Sequence, residues 1–461
     1  MRIKLILASS PLDPLRASDP FMPLSLPILA GSAPGHEYTF VDLLWEDDVR
    51  YDEAVDLVGI SVRSTAETRA YEIADEFRRR GVKVVLGGAQ ISAVPHRAIL
   101  HADAVAVGEA EGLWPMIVAD AAAGKLRHFY VCSPRPFEPG PGRTLYQQTG
   151  HPDLSSRITP ARHLYRRRYP FDTVYAMRGC PIDCDFCAVS RLFGPAYRMR
   201  PVEHVVEEIS RFRGYYYLLD DTVFGRASTY DYYLDLYARI AALPRRRYFT
   251  GQANLDAAAD PKGREVIRAA ARAGLLYAAV GIESINPVTL VASGAIRKLG
   301  VRSPDEALAK MREHVRFIQD QGIVISGWFV VGYETDTVET FRQTYEFCRE
   351  MSILPAIFHI RAVPGTRLWE RLESEGRLDT SRLMNMGHAS IRDQDILAAL
   401  AWILKRGYSW PEVLRRTLFY AKRFRGDRVH KSIFTLVLQR KLRGGLDVAR
   451  VGARKTAGLG R

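Results

Sequence analysis

Short apolar runs, each breaking off into small or polar residues, recur along this chain with helical patterns between them. Strands of this kind, apolar on both sides and joined by helices, fold as a parallel sheet covered on both faces. One set is expected at Ile3–Leu7, Tyr38–Leu43, Asp56–Val62, Val82–Leu86 and Ala104–Val107. The helical pattern before Val82 runs to Arg80, where Gly81 stops it. A second set begins after Tyr169, at Thr173–Met177, Tyr215–Leu219, Tyr248–Asn254, Tyr277–Ile282, Ile323–Val331 and Ala356–Ile360. Six successive βα units predict an open partial barrel with its chemistry at the C-terminal strand ends. Pro134, Pro136, Pro139 and Pro141, with Gly140, Gly142 and Arg166–Arg168, mark a crossing between the two sets. The expected α/β organisation is a doubly wound, Rossmann-like domain over 1–145 and a linker over 146–168. A partial (β/α)6 barrel over 169–370 and a basic helical region over 371–461 follow.

The loop after the first strand of the second set carries Cys180, Cys184 and Cys187, a C-x3-C-x2-C spacing. Thiolates are the usual protein ligands of iron–sulfur clusters, and three of them leave one iron of a cubane open to a further ligand. Zinc asks for four ligands, or three and a water, and no fourth Cys or His lies nearby in the sequence. Only five cysteines occur. That count argues against a secreted disulfide framework and for a reducing compartment. Cys132 and Cys348 stand alone, so an ordinary second four-thiolate cluster is not expected.

This loop, entered through Arg178-Gly179 and with the aromatic Phe186 before its third cysteine, resembles that of the radical S-adenosylmethionine (SAM) enzymes. The resemblance implies a [4Fe-4S] cluster on Cys180, Cys184 and Cys187, whose open iron is chelated by the amino and carboxylate groups of SAM. It further implies SAM contacts from Phe186, from Asp220 and Asp221 at the second strand end, and from Gln252 on the third strand. Glu283 and Ser284 belong to a Gly-Ile-Glu-Ser stretch that the family places near the ribose and the methionine carboxylate. Gly332-Tyr333-Glu334-Thr335 and Val363-Pro364-Gly365-Thr366-Arg367-Leu368 are further hallmarks.

The first domain resembles the cobalamin-binding domain fused to many radical SAM enzymes, through Val58-Gly59-Ile60-Ser61, Leu86-Gly87-Gly88 and Val107–Gly112. It implies cobalamin contacts from Ser9, Ser10, Ser61, Arg63, Ser64, Thr65, Gly87, Gly88, Gln90, Gly108 and Glu109. The D-x-H-x-x-G motif of the cobalamin mutases is missing, since Ala8–Asp19 holds no histidine. Arg63 is the expected lower-face neighbour of cobalt, where a cation disfavours axial coordination. The implied activity is cobalamin-dependent C-methyl transfer from SAM, via methylcobalamin, to an unactivated carbon of a peptide or protein side chain or a natural-product precursor. Rearrangement, ring formation, and hopanoid or tetrapyrrole chemistry, with or without cobalamin, are the alternative. A non-enzymatic iron–sulfur module is a distant third reading.

The formal charge of +13 is concentrated towards the C-terminus, where basic residues from Arg415 to Arg461 far outnumber acids. That basic end suits contact with an anionic surface, and no specific nucleic-acid binding is expected. A peptide or protein substrate is the slight preference on this basis. The implied electron donor is a flavodoxin or ferredoxin. The first residues are too short an apolar run for a signal peptide, and no apolar stretch is long enough to span a membrane. A cytoplasmic location is expected. Met384, Met386 and His388 open the helical region, with packing favoured over a cleft role.

Overall fold

The computed structural model describes residues 1–442 except 11, 12, 14, 15, 47, 64, 302, 381–384, 387, 389 and 390. The chain forms two compact units, Met1–Thr173 with Ala188–Met199, and Val174–Cys187 with the chain from Arg200 onward.

The first unit holds a seven-stranded sheet. Its strands are β1 (Arg2–Leu7), β2 (Glu37–Asp42), β3 (Leu57–Ser61), β4 (Lys83–Gly87), β5 (Ala104–Val107), β6 (Phe129–Ser133) and β7 (Leu145–Thr149). Their order is β2-β1-β3-β4-β5-β6-β7, and every pairing is parallel. Alternation along β1 sends Leu5 and Leu7 into one core layer and Ile6 into the other, which is why its sequence reads as a continuous apolar run. Helix α1 (Glu67–Arg79) covers the Ile6 side through Ala70, Ile73, Ala74 and Phe77. Helix α2 (Trp114–Ala122) covers the Leu5 side through Trp114, Ile117 and Val118. A Cβ at Gly59 would stand 2.8 Å from both Leu5 and Trp114, so that glycine serves packing.

The two strands not foreseen are the last of this sheet. β6, Phe-Tyr-Val-Cys-Ser, is buried over its first four residues, and β7, inside the stretch read as linker, is the half-exposed sequence Leu-Tyr-Gln-Gln-Thr. An edge strand has one unpaired flank and needs no apolar run. The Pro/Gly-rich residues form its connection to β6.

The second unit is built on a six-stranded sheet. Its strands are β8 (Phe171–Val174, where the chain passes from one unit to the other), β9 (Tyr215–Leu218), β10 (Phe249–Ala253), β11 (Leu275–Glu283), β12 (Val324–Val331) and β13 (Leu354–His359). Their spatial order is the sequence order, and β9 to β13 pair in parallel throughout. This is the expected open run of βα units. The intervening helices are α3 (Val202–Ser210), α4 (Tyr230–Ala241), α5 (Pro261–Ala273), α6 (Ala307–Asp320) and α7 (Val338–Glu350). Helix α5 shows the local logic. Asp260 accepts from the Gly263 N–H at its start, Pro261 follows, and Gly274 ends it at φ +113°, where a Cβ would lie 2.1 Å from the Arg247 carbonyl oxygen. β8 stops at Val174, short of the expected Met177, because the Ala176 and Met177 N–H groups donate to the Asp220 side chain instead of a ladder.

The C-terminal region is helical and belongs to the second unit: α8 (Arg367–Ser374), α9 (Asp393–Gly407), α10 (Trp410–Ala421) and α11, residues 428–442. It is seated on the barrel by buried polar contacts. The Tyr408 hydroxyl donates to the Pro355 carbonyl at 2.9 Å, and the Tyr420 oxygen accepts from the Ile325 N–H at 3.0 Å. Of the residues expected to open this region, Met386 is buried and the His388 ring meets the Tyr333 carbonyl oxygen at 2.8 Å. Met384 lies outside the described residues.

His314 on α6 is buried with Nδ1 unpartnered, and burial lowers its pKa from the usual 6.5 to about 4. Between these values the unfolded chain binds a proton that the folded chain refuses, so stability falls as pH drops through this window. The expected slope from this residue is at most about 1.4 kcal/mol per pH unit. Urea titrations at several pH values should show His314→Gln losing less stability than the parent between pH 6.5 and 4; an equal loss would show that His314 does not titrate there.

Candidate metal and cofactor site

The cysteine loop lies just beyond β8 and turns on left-handed residues at Gly179 (φ +93°) and Asp183 (φ +54°). Two distant segments bracket it. The Asp183 carbonyl accepts from Arg367 Nη2 at 2.7 Å, and the Asp185 carbonyl accepts from the Leu368 N–H at 2.9 Å. From the other side the Asp185 N–H donates to the Ser293 carbonyl at 3.1 Å. Thr366 caps α8 by accepting from the Trp369 N–H, so the Val363–Leu368 hallmark acts as a clamp on the cysteine loop. Gly332 and Tyr333 of the other hallmark donate their N–H groups to Asp336, and the Tyr333 ring lies edge-on to Phe186 at 6.3 Å.

Cys184 is buried, and Cys180 and Cys187 are half-buried. Burial pushes the Cys184 thiol up to about 12, against the pull of the Lys298 ammonium, and burial likewise raises Cys180. Such thiols become thiolates only with positive charge beside them, which iron supplies. Among the described residues no three His, Cys, Asp or Glu side chains converge where a single ion would sit. Three cysteine thiolates are the usual donors of an iron–sulfur cluster with one open iron, and Cys180, Cys184 and Cys187 fit that donor set.

The two adjacent aspartates after β9 play unlike parts. Asp220 is 0 % exposed, and its carboxylate accepts from the Ala176 N–H (2.7 Å), the Met177 N–H (2.9 Å) and the Tyr233 hydroxyl (2.7 Å). It was expected to contact SAM; the three donors make it an internal brace. Asp221 is half-buried, and its carboxyl pKa is pushed up to about 7 by burial and the neighbouring Asp220, against Lys298 and Arg178. A carboxyl so placed gains by receiving a positive charge.

Glu283 ends β11 at φ +66°, a strained conformation for a residue other than glycine. The strand register shifts between Gly281 and Glu283 to accommodate it. Its Oε1 accepts from Lys298 Nζ at 2.5 Å, and a Cβ at Gly281 would sit 2.6 Å from that oxygen. The Gly-Ile-Glu-Ser stretch therefore folds the Glu283 side chain back beside the Gly281 backbone. Burial opposes the Lys298 charge, yet the Glu283 carboxylate holds the ammonium above the usual lysine range. Ser284, also expected at SAM, accepts from the Asn286 N–H at 3.0 Å in a turn, which leaves its O–H donor in place. Gln252 lies on β10 against Tyr217.

In the first unit the residues expected around cobalamin fall at the C-terminal ends of β1, β3, β4 and β5. Arg63 Nη2 pairs with Asp13 Oδ2 at 2.5 Å, and Thr65 Oγ1 donates to the same oxygen at 3.1 Å. Among the described residues Arg63 Nε is buried without a partner, an orphan donor that a peripheral amide of a corrin ring would satisfy. Ser9 and Ser10 line a cavity of about 270 Å³ with Leu43 and Thr68. Ser61 is half-buried, and Gly87 has no crowding neighbour. Gly88 (φ +100°) and Gly108 (φ +84°) have conformational reasons of their own. Gln90 and Glu109 are engaged within the unit. Gln90 Nε2 donates to Glu67 at 2.5 Å, while Glu109 Oε2 lies 2.5 Å from Arg198 Nη2 and 3.1 Å from His151 Nδ1. Ser64 is outside the described residues.

Residues 174–348 match the Radical SAM superfamily profile. The chain carries a radical SAM domain over this stretch. It is similar to bacteriochlorophyllide d C-8(2)-methyltransferase of Chlorobaculum tepidum, 29% identical over 87% of this chain and 88% of the relative. Hopanoid C-2 methylase of Rhodopseudomonas palustris is 27% identical over 84% and 70%. The fold resembles two solved structures. One is the radical SAM methyltransferase TsrM of Kitasatospora setae with cobalamin and a [4Fe-4S] cluster (TM-score 0.63, 18% identity, 81% of this chain and 75% of that one). The other is the cobalamin-dependent radical SAM enzyme OxsB (TM-score 0.69, 14% identity, 95% and 71%).

Within this radical SAM site, Lys298 is the residue that sequence reasoning missed. It sits in a short 3₁₀ turn of no distinctive spacing, and only folding sets it against Glu283. Cys132 and Cys348 are both buried, Cys132 on β6 and Cys348 on α7. The division between the aspartates is testable by anaerobic equilibrium dialysis of the reconstituted chain. Asp221→Asn should weaken SAM binding by roughly 10- to 100-fold, the worth of a charge-assisted hydrogen bond, with iron content unchanged. Asp220→Asn should instead lower the melting temperature; the reverse pattern would overturn the assignment.

Proposed function

We propose that this chain is a cobalamin-dependent radical SAM C-methyltransferase acting on an unactivated carbon of a fused-ring, largely apolar small molecule. The observation that carries the reaction class is the clamped three-cysteine loop at the strand ends, with Asp221 and the Glu283–Lys298 pair around it. The names of the similar proteins support methyl transfer, and two of them act on ring systems, a bacteriochlorophyllide and a hopanoid. That moves the substrate from the peptide side chain slightly preferred on charge alone towards ring chemistry, which the sequence reading held as an alternative.

Cys180, Cys184 and Cys187 would hold the cluster. Asp221 would receive the amino group of SAM, and its proton, half present near pH 7, would leave as that cation arrives. Lys298 would balance the thiolates from the Glu283 side, and Phe186, with its ring 5.9 Å from the Lys298 ammonium, would wall the pocket against water. Gln252 would contribute from β10. Ser9, Ser10, Ser61, Arg63, Thr65, Gly87, Gly88 and Gly108 would border cobalamin, with Arg63 held by Asp13 so that its guanidinium cannot swing away. When bound, these groups supply the one-electron chemistry that activates an inert C–H bond and the methyl group placed on it. A flavodoxin or ferredoxin would deliver the electrons in a reducing cytoplasm, which suits the five free cysteines.

Anaerobic reconstitution should yield about four irons with one cobalt per chain. With trideuteromethyl-labelled SAM, extracts containing tetrapyrroles and polycyclic terpenoids should gain a product bearing the intact labelled methyl. Cys184→Ala should lose the iron and the product together. SAM cleavage with iron present and no cobalt retained would sink the cobalamin reading.

A further inference from the structure

Helices α10 and α11 form an antiparallel pair at the C-terminal end of the described chain. Arg416 Nε of α10 donates to Gln439 Oε1 of α11 at 2.8 Å, and Gln439 Nε2 donates to Thr417 Oγ1 at 3.1 Å. Each helix turns a buried row inward, Val413, Arg416 and Tyr420 on α10 and Lys431, Thr435 and Gln439 on α11. The opposite rows are apolar and partly to largely exposed. Trp410, Leu414 and Leu418 are 49%, 53% and 63% exposed, and Val429, Ile433 and Val437 are 75%, 56% and 57% exposed. Fourteen large apolar side chains are exposed among the described residues, and six of them stand in these two rows.

A four-residue spacing keeps each row on one side of its helix. Measured from Arg416 and Gln439, which face each other, the two rows turn the same way in antiparallel helices and emerge on one side of the pair. Basic residues surround them. Lys422, Arg425, Arg428, Arg440 and Lys441 are exposed on this hairpin, against Asp427 as its sole exposed acid. The sequence then continues with Arg443, Arg450, Arg454, Lys455 and Arg461 against Asp447 alone.

We infer that this face lies on an anionic lipid surface, with the two apolar rows in the headgroup boundary and the flanking bases on the phosphates. An apolar strip flanked by cations, on helices lying flat, is the pattern of interfacial binding. No helix of the described residues is long and apolar enough to cross a membrane, so the contact is peripheral. A second copy would bring the same bases against themselves, which disfavours self-association. The inference stands apart from the reaction proposed above.

The test is co-sedimentation of the full chain with vesicles of phosphatidylcholine alone and with phosphatidylglycerol added. Wild type should bind the anionic vesicles and largely ignore the neutral ones. Leu414→Glu combined with Ile433→Glu should cut binding by about tenfold or more without lowering the melting temperature. Leu414→Ser with Ile433→Ser serves as the milder pair should the charges disturb folding. Absence of binding to anionic vesicles would overturn the proposal. So would equal binding by wild type and both apolar variants, which would assign the attraction to the basic tail. A dimer in sedimentation velocity that those variants abolish, with no vesicle binding, would assign the face to a second copy.

Discussion

The second unit depends on one fully buried carboxylate. Asp220 takes the two backbone N–H groups that β8 would otherwise offer to a ladder, and the hydroxyl of Tyr233 on α4. Three donors make burial of this group tolerable, although burial still raises its pKa to about 6. The result is a fixed point a few residues before Cys180, from which the cysteine loop departs. Its far side is held by Arg367 and Leu368, whose position rests on the Thr366 cap. A loop that must hold three thiolates at set distances needs anchors on both sides, and these are supplied by elements far apart in the chain.

Around that loop the polar residues divide into those that build and those left available. Asp220 has its carboxylate taken by two backbone N–H groups and a hydroxyl, and Ser284 accepts from the turn it sits in. Asp221 keeps its carboxyl beside Lys298 and Arg178, and Glu283 is held in a strained conformation that points it at Lys298. Strain of this kind persists where surrounding structure over-determines it, and here the register shift in β11 and the missing side chain at Gly281 do so. In the first unit Arg63 keeps an unpartnered buried Nε, whereas Gln90 and Glu109 close on neighbours of their own. Neighbouring positions in one motif thus carry different work.

Most of both sheets was legible, because a parallel strand buried on both faces must be apolar throughout and its end must turn. The strands that escaped were β6, an apolar run no shorter than β5, and β7, whose edge position removes the need for such a run. The cysteine spacing, the Gly-Ile-Glu-Ser stretch and the two later hallmarks were visible as patterns, while their division of labour was not. Lys298 offered no signal at all, since its importance comes from a contact with Glu283 fifteen residues away.

The sequence by itself determined the two parallel-sheet units, the three-cysteine spacing and the family resemblance, because these rest on local spacing and on the period of apolar residues. Tertiary structure decided which of two adjacent aspartates is taken up by three donors, which lysine meets Glu283 beside the cysteine loop, and that the C-terminal helices show an apolar face to the outside. Each of these depends on which donors, charges and surfaces distant segments bring together. A carboxylate is a brace or a binding group according to how many N–H and O–H donors reach it, and an apolar row is core or contact surface according to what packs over it.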